Sequence, residues 1–219
     1  MGQHSDRARE ALLDAAEELF AKNGIDAVSS RRIAEHAGSA NHSAVAYHFG
    51  TRDDLLRALI FRHNDVVAAR RRELLAELGP HPSVHDIVRC RLLPLVELLD
   101  SIPGPSWRAQ FLAQLRSVPS AVAVLEESAD ELDLGTDFSS LATAVEGISP
   151  ATMRGRSAIL GYLVLGVCAE YEAESNSGTA RGSWRAVGYF LIDAAAGMLA
   201  APVTRPEGGF DARGHARLV

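Results

Sequence analysis

Between residues 41 and 48 the chain gathers side chains of the kind that grip or read a nucleic acid: Asn41, His42, Ser43, Ala44, Tyr47 and His48. An asparagine amide pairs bidentately with adenine, and a small alanine meets a thymine methyl. A phenol or imidazole donor on an exposed helix bonds phosphate oxygens without reading sequence. Arg31, Arg32 and Arg52 flank this group as phosphate clamps or as merely solvated charges, and Ser30 and Thr51 either donate to phosphate or cap helices, capping being the simpler role. The competing reading of Tyr47 is a ring packed in a small core.

These residues need elements to hold them. From Ser29 to Phe49 the pattern SSRRIAEHAGSANHSAVAYHF reads as two short helices around a tight turn. Ser29 or Ser30 caps the first, Ile33, Ala34 and Ala37 form its apolar face, and Gly38 ends it. Asn41 or Ser43 starts the second, whose Val45 and Phe49 point inward at a spacing of four. A pair this small fills no core, but it presents its second helix well to a DNA major groove, about 12 Å wide. Residues 6 to 23 supply a bracing amphipathic helix stopped by Gly24, with Ala8, Leu12, Ala15 or Ala16, Leu19 and Phe20 inward and Arg9, Asp14, Glu17 and Glu18 outward. The expected core of this head is Leu12, Leu19, Phe20, Ile25, Val28, Ile33, Val45 and Phe49.

At IAEHAG (33 to 38), YHFGTRDDLL (47 to 56) and REALLDAAEELFAKNGIDAVSSRRIA (9 to 34) the chain resembles the TetR family of one-component transcriptional repressors. The resemblance covers the first sixty residues or so. It implies an all-α protein: an N-terminal three-helix helix-turn-helix DNA-binding domain (1–52), a larger helical effector-binding and dimerisation domain (53–201), and a tail (202–219) read as poorly ordered. It also implies that Tyr47 contacts phosphate with His48 beside it, that the protein is a homodimer on a double-stranded DNA operator, and that a small-molecule effector releases it. The turn Ser39–His42 is one residue longer than the usual family spacing, so the base-reading side chain of that turn is not fixed by resemblance.

Charge supports the same division. The formal net charge is −6 over 219 residues, but residues 1–72 carry net +1 and residues 73–219 net −7. Five of eight histidines (His4, His36, His42, His48 and His63) lie in the first third, where protonation near phosphate would add positive charge. Cys90 and Cys168 lack metal-site or redox spacing and read as buried thiols. No metal and no cofactor is expected. A polar start and the want of a long apolar run point to the cytoplasm. An all-helical enzyme is the first alternative, without HExxH, GxSxG, a phosphate loop or paired Glu-x-x-His to support it. A ligand-free architectural DNA binder is the second.

Beyond the head, the pattern Leu55, Leu56, Leu59, Ile60, Val66, Val67, Leu74, Leu75 predicts one unbroken helix over 53–78, a mechanical link from one core to the next. The triplet Arg70, Arg71, Arg72 reads as its solvated face. Further helices are expected at 83–101, kinked near Pro94, and at 106–117, 119–132, 138–147, 150–174 and 182–200. The acidic run Glu126–Asp137 reads as a solvated loop. The last two helices are apolar on more than one face, and family members pair through such helices. The expected dimer interface is therefore Ala158, Gly161, Tyr162, Leu165, Val187, Leu191, Ala194, Ala195 and Met198. The expected effector-lining residues, mixing aromatic walls with polar handles, are Cys90, Leu93, Trp107, Gln110, Phe111, Gln114, Arg116 and Phe138.

Overall fold

The computed structural model describes residues 2–128, 145 and 148–204. Within them the chain is all-helical: α1 Gly2–Asn23, α2 Ser30–His36, α3 Ala44–Phe49, α4 Arg52–Phe61, α5 Asn64–Ala76, α6 Val84–Ser101, α7 Arg108–Leu115, α8 Pro119–Glu127, α9 Pro150–Ser177 and α10 Trp184–Ala200. Several starts are capped, as expected at Ser29 and Thr51. Ser29 accepts from Arg32 N, and Thr51 with Asp54, and Ser83 with Asp86, form capping boxes. Expected segment 138–147, Phe138 and most of the acidic run and of the tail lie outside the described residues.

Two apolar cores organise these helices. The first joins Leu12, Phe20, Ile25, Ile33, Val45, Leu55 and Leu59 to Phe111, Leu115, Ala121 and Val124. The head is therefore sealed by α7 and α8 as well as by its own helices. The second core joins Ile87, Val88 and Leu99 of α6 to Met153, Leu160, Val164 and Cys168 of α9 and Leu191, Ile192, Ala195 and Leu199 of α10. Gly188 lets α10 approach α6 closely, since a Cβ there would stand 2.9 Å from Val96 Cγ1. His85 Nε2 meets Asp193 Oδ1 at 2.9 Å across the same pair.

The single helix expected over 53–78 is two helices, broken at Arg62 and His63. No glycine or proline causes the break. Arg108 of α7, 4% exposed, donates to Leu59 O at 2.7 Å and Ile60 O at 3.1 Å, the carbonyls that His63 and Asn64 would use in a continuous helix. Its Nη1 also reaches Glu17 Oε1 at 2.9 Å, so Glu17, read as outward-facing, is buried at 7% exposure. Arg62, freed by the break, bridges Glu10, Asp14 and Glu17 of α1. Burial works against the Arg62 charge, yet Asp14 and then Glu17 and Glu10 outweigh it and raise its pKa above the ordinary guanidinium value.

The final two helices also differ in which face is free. Leu191 and Ala195 are interior, Val187 and Met198 pack against the second core, and Ala158, Gly161 and Leu165 border a cavity, leaving Ala194 exposed and Tyr162 beneath Arg116. The apolar face left open is instead Ile159 and Leu163 of α9 with Tyr189 and Phe190 of α10, all exposed. Both faces of these helices are apolar, so periodicity alone does not choose which one packs inward.

Candidate nucleic-acid interface and adjoining cavity

The second helix of the pair, α3, is seated by Ala44 and Val45, both buried, and turns Ala46 and Tyr47 outward. Tyr47 is 79% exposed, so its ring is free of the core, and its edge meets the His48 ring with centroids 5.0 Å apart. The longer turn is built by its own polar groups. Ser39 N bonds Ala34 O at 2.9 Å, Asn41 N donates to Ser39 Oγ at 3.2 Å, and Ser43 N donates to Asn41 Oδ1 at 2.9 Å. Gly38, at φ +72°, takes the left-handed conformation the helix stop requires.

Several candidates change role. Ala44 is in the core and cannot meet a thymine methyl; Ala46 is the alanine that faces outward. Asn41 uses its carbonyl oxygen to hold the turn, leaving only its amide donors free. Arg52 bonds Val28 O at 2.8 Å and Ile25 O and lies over the Phe20 ring, so it ties down the loop before α2 rather than clamping phosphate. Thr51 is the α4 cap, and its hydroxyl and backbone N–H hold the exposed Asp54 carboxyl below its usual pKa. Ser30 begins α2 without capping it. Arg31 pairs with Glu35 at 2.8 Å, with His42 Nδ1 3.6 Å from the same carboxylate, and Arg32 donates to Asn23 at 3.1 Å. Arg31, Arg32, His42, Ser43 and Tyr47 are exposed and His48 half-buried.

A cavity of about 500 Å³ lies between the two cores. Ile60, Leu112, Leu115 and Leu125 wall it from the first core, and Val88, Leu92, Leu95, Leu160, Val164 and Leu199 from the second. None of the expected residues Cys90, Leu93, Trp107, Gln110, Phe111 and Gln114 lines it; Arg116 does. Phe111 stacks on Phe20 with centroids 6.1 Å apart, Trp107 lies under Lys22 Nζ at 4.2 Å, and Gln110 bonds the buried Glu172. Leu93 packs against the second core. Cys90 and Cys168 are buried, and burial, with Glu172 adding to it, pushes Cys168 up to about 12. The polar groups that the cavity does hold are arginines 71, 91, 108, 116 and 154 together with His63, Asn64 and Ser157. Arg71, read as solvated, is buried, whereas Arg70 bonds Glu97 at 2.8 Å and Arg72 is exposed.

His63, counted among the cationic candidates for phosphate, borders this cavity instead. Burial, then Arg108 and Arg62, lower its pKa from 6.5 to about 4. The unfolded chain takes up the proton near 6.5 and the folded chain only near 4, so the unfolded state holds more protons between those values. Stability contributed by neutral His63 is thus present above 6.5 and lost as pH falls through 4. Melting curves at pH 6.5 and 5.0, where most carboxylates are still ionised, are expected to show a smaller loss for His63→Asn than for the unaltered chain.

An exposed short helix, braced by a second helix across a glycine-stopped turn and mounted on a larger helical body, has the geometry of a helix-turn-helix head. Residues 12–59 match the family described as "Bacterial regulatory proteins, tetR family". Over 123 residues, 52% of this chain, the sequence is 29% identical to the HTH-type transcriptional repressor AcnR of Corynebacterium diphtheriae, and the match covers 60% of that repressor's length. A TetR-like transcriptional regulator from Rhodococcus sp. RHA1 superposes with a TM-score of 0.56 at 17% identity, covering 89% of this chain and 97% of that one. A TetR family transcription regulator from Marinobacter aquaeolei VT8 gives 0.58 at 16% identity, covering 90% and 98%. The N-terminal head thus matches the TetR family over residues 12–59, and the chain shares the fold of these two solved structures.

Proposed function

We propose that this regulator binds a palindromic operator as a homodimer, represses from it, and is released by a small molecule entering the cavity between the two cores. The observation that carries the reading is the position of Arg108. It borders the cavity, holds the end of α4 through Leu59 O and Ile60 O, and pairs with Glu17 of α1. A ligand that shifts Arg108 shifts the seat of the head directly. If it binds better to the arrangement with the heads misplaced, linkage requires it to weaken operator binding by the same factor, commonly about 1–3 kcal/mol.

DNA contact falls to the α3 face. Tyr47, His42 and Ser43 are its exposed donors, and the two copies of α3 would enter successive major grooves about 34–36 Å apart. Tyr47→Ala is expected to weaken binding at least tenfold, with Tyr47→Phe giving most of that loss if the hydroxyl bonds phosphate. The test is a mobility-shift titration against the DNA upstream of the protein's own gene, with an unrelated fragment as competitor. Equal competition by that fragment, or a Tyr47→Ala variant that binds as tightly as the parent, overturns the reading.

A further inference from the structure

The apolar walls of the cavity do not account for its charges. Arg71 of α5 borders it at 9% exposure, and its Nε has no hydrogen-bond partner. Arg116, at the end of α7, borders it too, with a buried Nε that is likewise unpartnered. No carboxylate pairs with either guanidinium among the described residues, and no Asp or Glu is among the described lining residues. Arg108, by contrast, has Glu17. The chain also makes room for Arg116. Its guanidinium carbon stands 4.6 Å from the Tyr162 ring centre, and it occupies the space over Gly161, where a Cβ would come within 2.8 Å of Arg116 Cζ.

Leaving a guanidinium buried without a counter-charge is strongly unfavourable, and a partner that supplies one recovers much of that penalty. We infer that the cavity takes an amphiphile: an apolar chain against the leucine walls and an anionic head, carboxylate or phosphate, at Arg71 and Arg116. This rests on the proposal that the cavity is the effector site, and it names the effector's chemistry. Charge-assisted hydrogen bonds in a low-dielectric site set the discrimination, so removing the negative charge from the ligand costs about tenfold to a hundredfold in affinity.

The test uses the purified full chain and calorimetric titration below the micellar concentration with four probes of equal chain length: dodecanoate, dodecyl phosphate, dodecanol and dodecylammonium. Dodecanoate or dodecyl phosphate is expected to bind at least tenfold more tightly than dodecanol, the better of the two identifying the head group, and dodecylammonium most weakly. Arg71→Met and Arg116→Met each bring the anion down to the affinity of dodecanol and leave dodecanol itself unchanged. Should Arg71→Met fail to fold, Arg116→Met at its half-buried position decides the same question. The inference is overturned if dodecanol equals the anions, if the ammonium is preferred, if the folded variants keep the preference, or if no chain from octanoate to hexadecanoate binds. Operator release is assayed separately: anion binding without release defeats the effector proposal and leaves the anion site standing, and release by probes regardless of charge does the reverse.

Discussion

Arg108→Met is expected to destabilise the folded chain by about 3–5 kcal/mol, the range for removing one partner of a buried ion pair. Three losses converge. Glu17, buried at 7% exposure, loses its 2.9 Å partner and keeps only the longer 3.4 Å contact with Arg62. Ile60 O loses its Arg108 donor at the helix break and Leu59 O keeps only the longer 3.3 Å bond from Arg62 N, and a buried acceptor left unmatched costs about 1–3 kcal/mol. Methionine fills much of the same volume, so packing is the smallest of the three. Urea unfolding measures the effect as a lower midpoint at unchanged slope, with a fall of roughly 10 °C in Tm for a chain of this size. Arg108→Lys is expected to fall between the two, because an ammonium keeps the charge but cannot fork to a carboxylate and two carbonyls at once. Adding Glu17→Gln to Arg108→Met should recover part of the loss, since it removes the stranded charge. A loss under about 1 kcal/mol in the single variant would mean that the α4–α5 break is held by something else.

That arginine also marks where sequence reading stops. The head was legible because its signals are local: a period of 3.6 through Leu12, Leu19 and Phe20, glycine stops at 24 and 38, and a capping box at Thr51. The break at Arg62 is not local. It is imposed by a side chain 46 residues further on, and nothing within 53–78 announces it. The cavity was missed for a related reason. Aromatic residues with amide neighbours looked like a binding wall, but Phe111 and Trp107 complete the contacts between α7 and α1. The residues that do line the cavity are leucines, indistinguishable by pattern from core, and arginines, whose type argues for solvent. One signal was available: Arg71 follows Val67 by four, Arg116 follows Leu112 by four, and Arg91 precedes Leu95 by four. An arginine standing in line with an inward apolar stripe is a charge aimed at the interior. For the open face of α9 and α10, both sides of each helix are apolar, so only packing decides which side stays outside.

That open face underlies the second large effect, Phe190→Asp. Phe190 is 64% exposed, Ile159 59%, Tyr189 46% and Leu163 41%, an unusual concentration of large apolar side chains for a surface covered by solvent. Fully burying one such side chain is worth about 1.5–3 kcal/mol, and a two-fold interface buries two copies of each. Around Phe190 the residues four and seven further on are Ala194 and Gly197, both exposed and small enough to admit a partner helix. If the proposed homodimer pairs through this face, an aspartate at 190 places two carboxylates in or near one desolvated patch, and the dimer dissociation constant is expected to rise at least a hundredfold. Sedimentation at micromolar concentration should then show monomer where the parent is expected to be a dimer. Operator affinity should fall by about 10²–10⁴, because the second head no longer binds as an intramolecular partner, while contact with an isolated half-site is unchanged. Each head keeps its own α3 face in that variant, so the two losses separate: weak operator binding with intact half-site binding is a spacing defect, and loss of both is a damaged head. A Phe190→Asp protein that remains dimeric, and still holds its operator, would move the interface off α9 and α10 altogether.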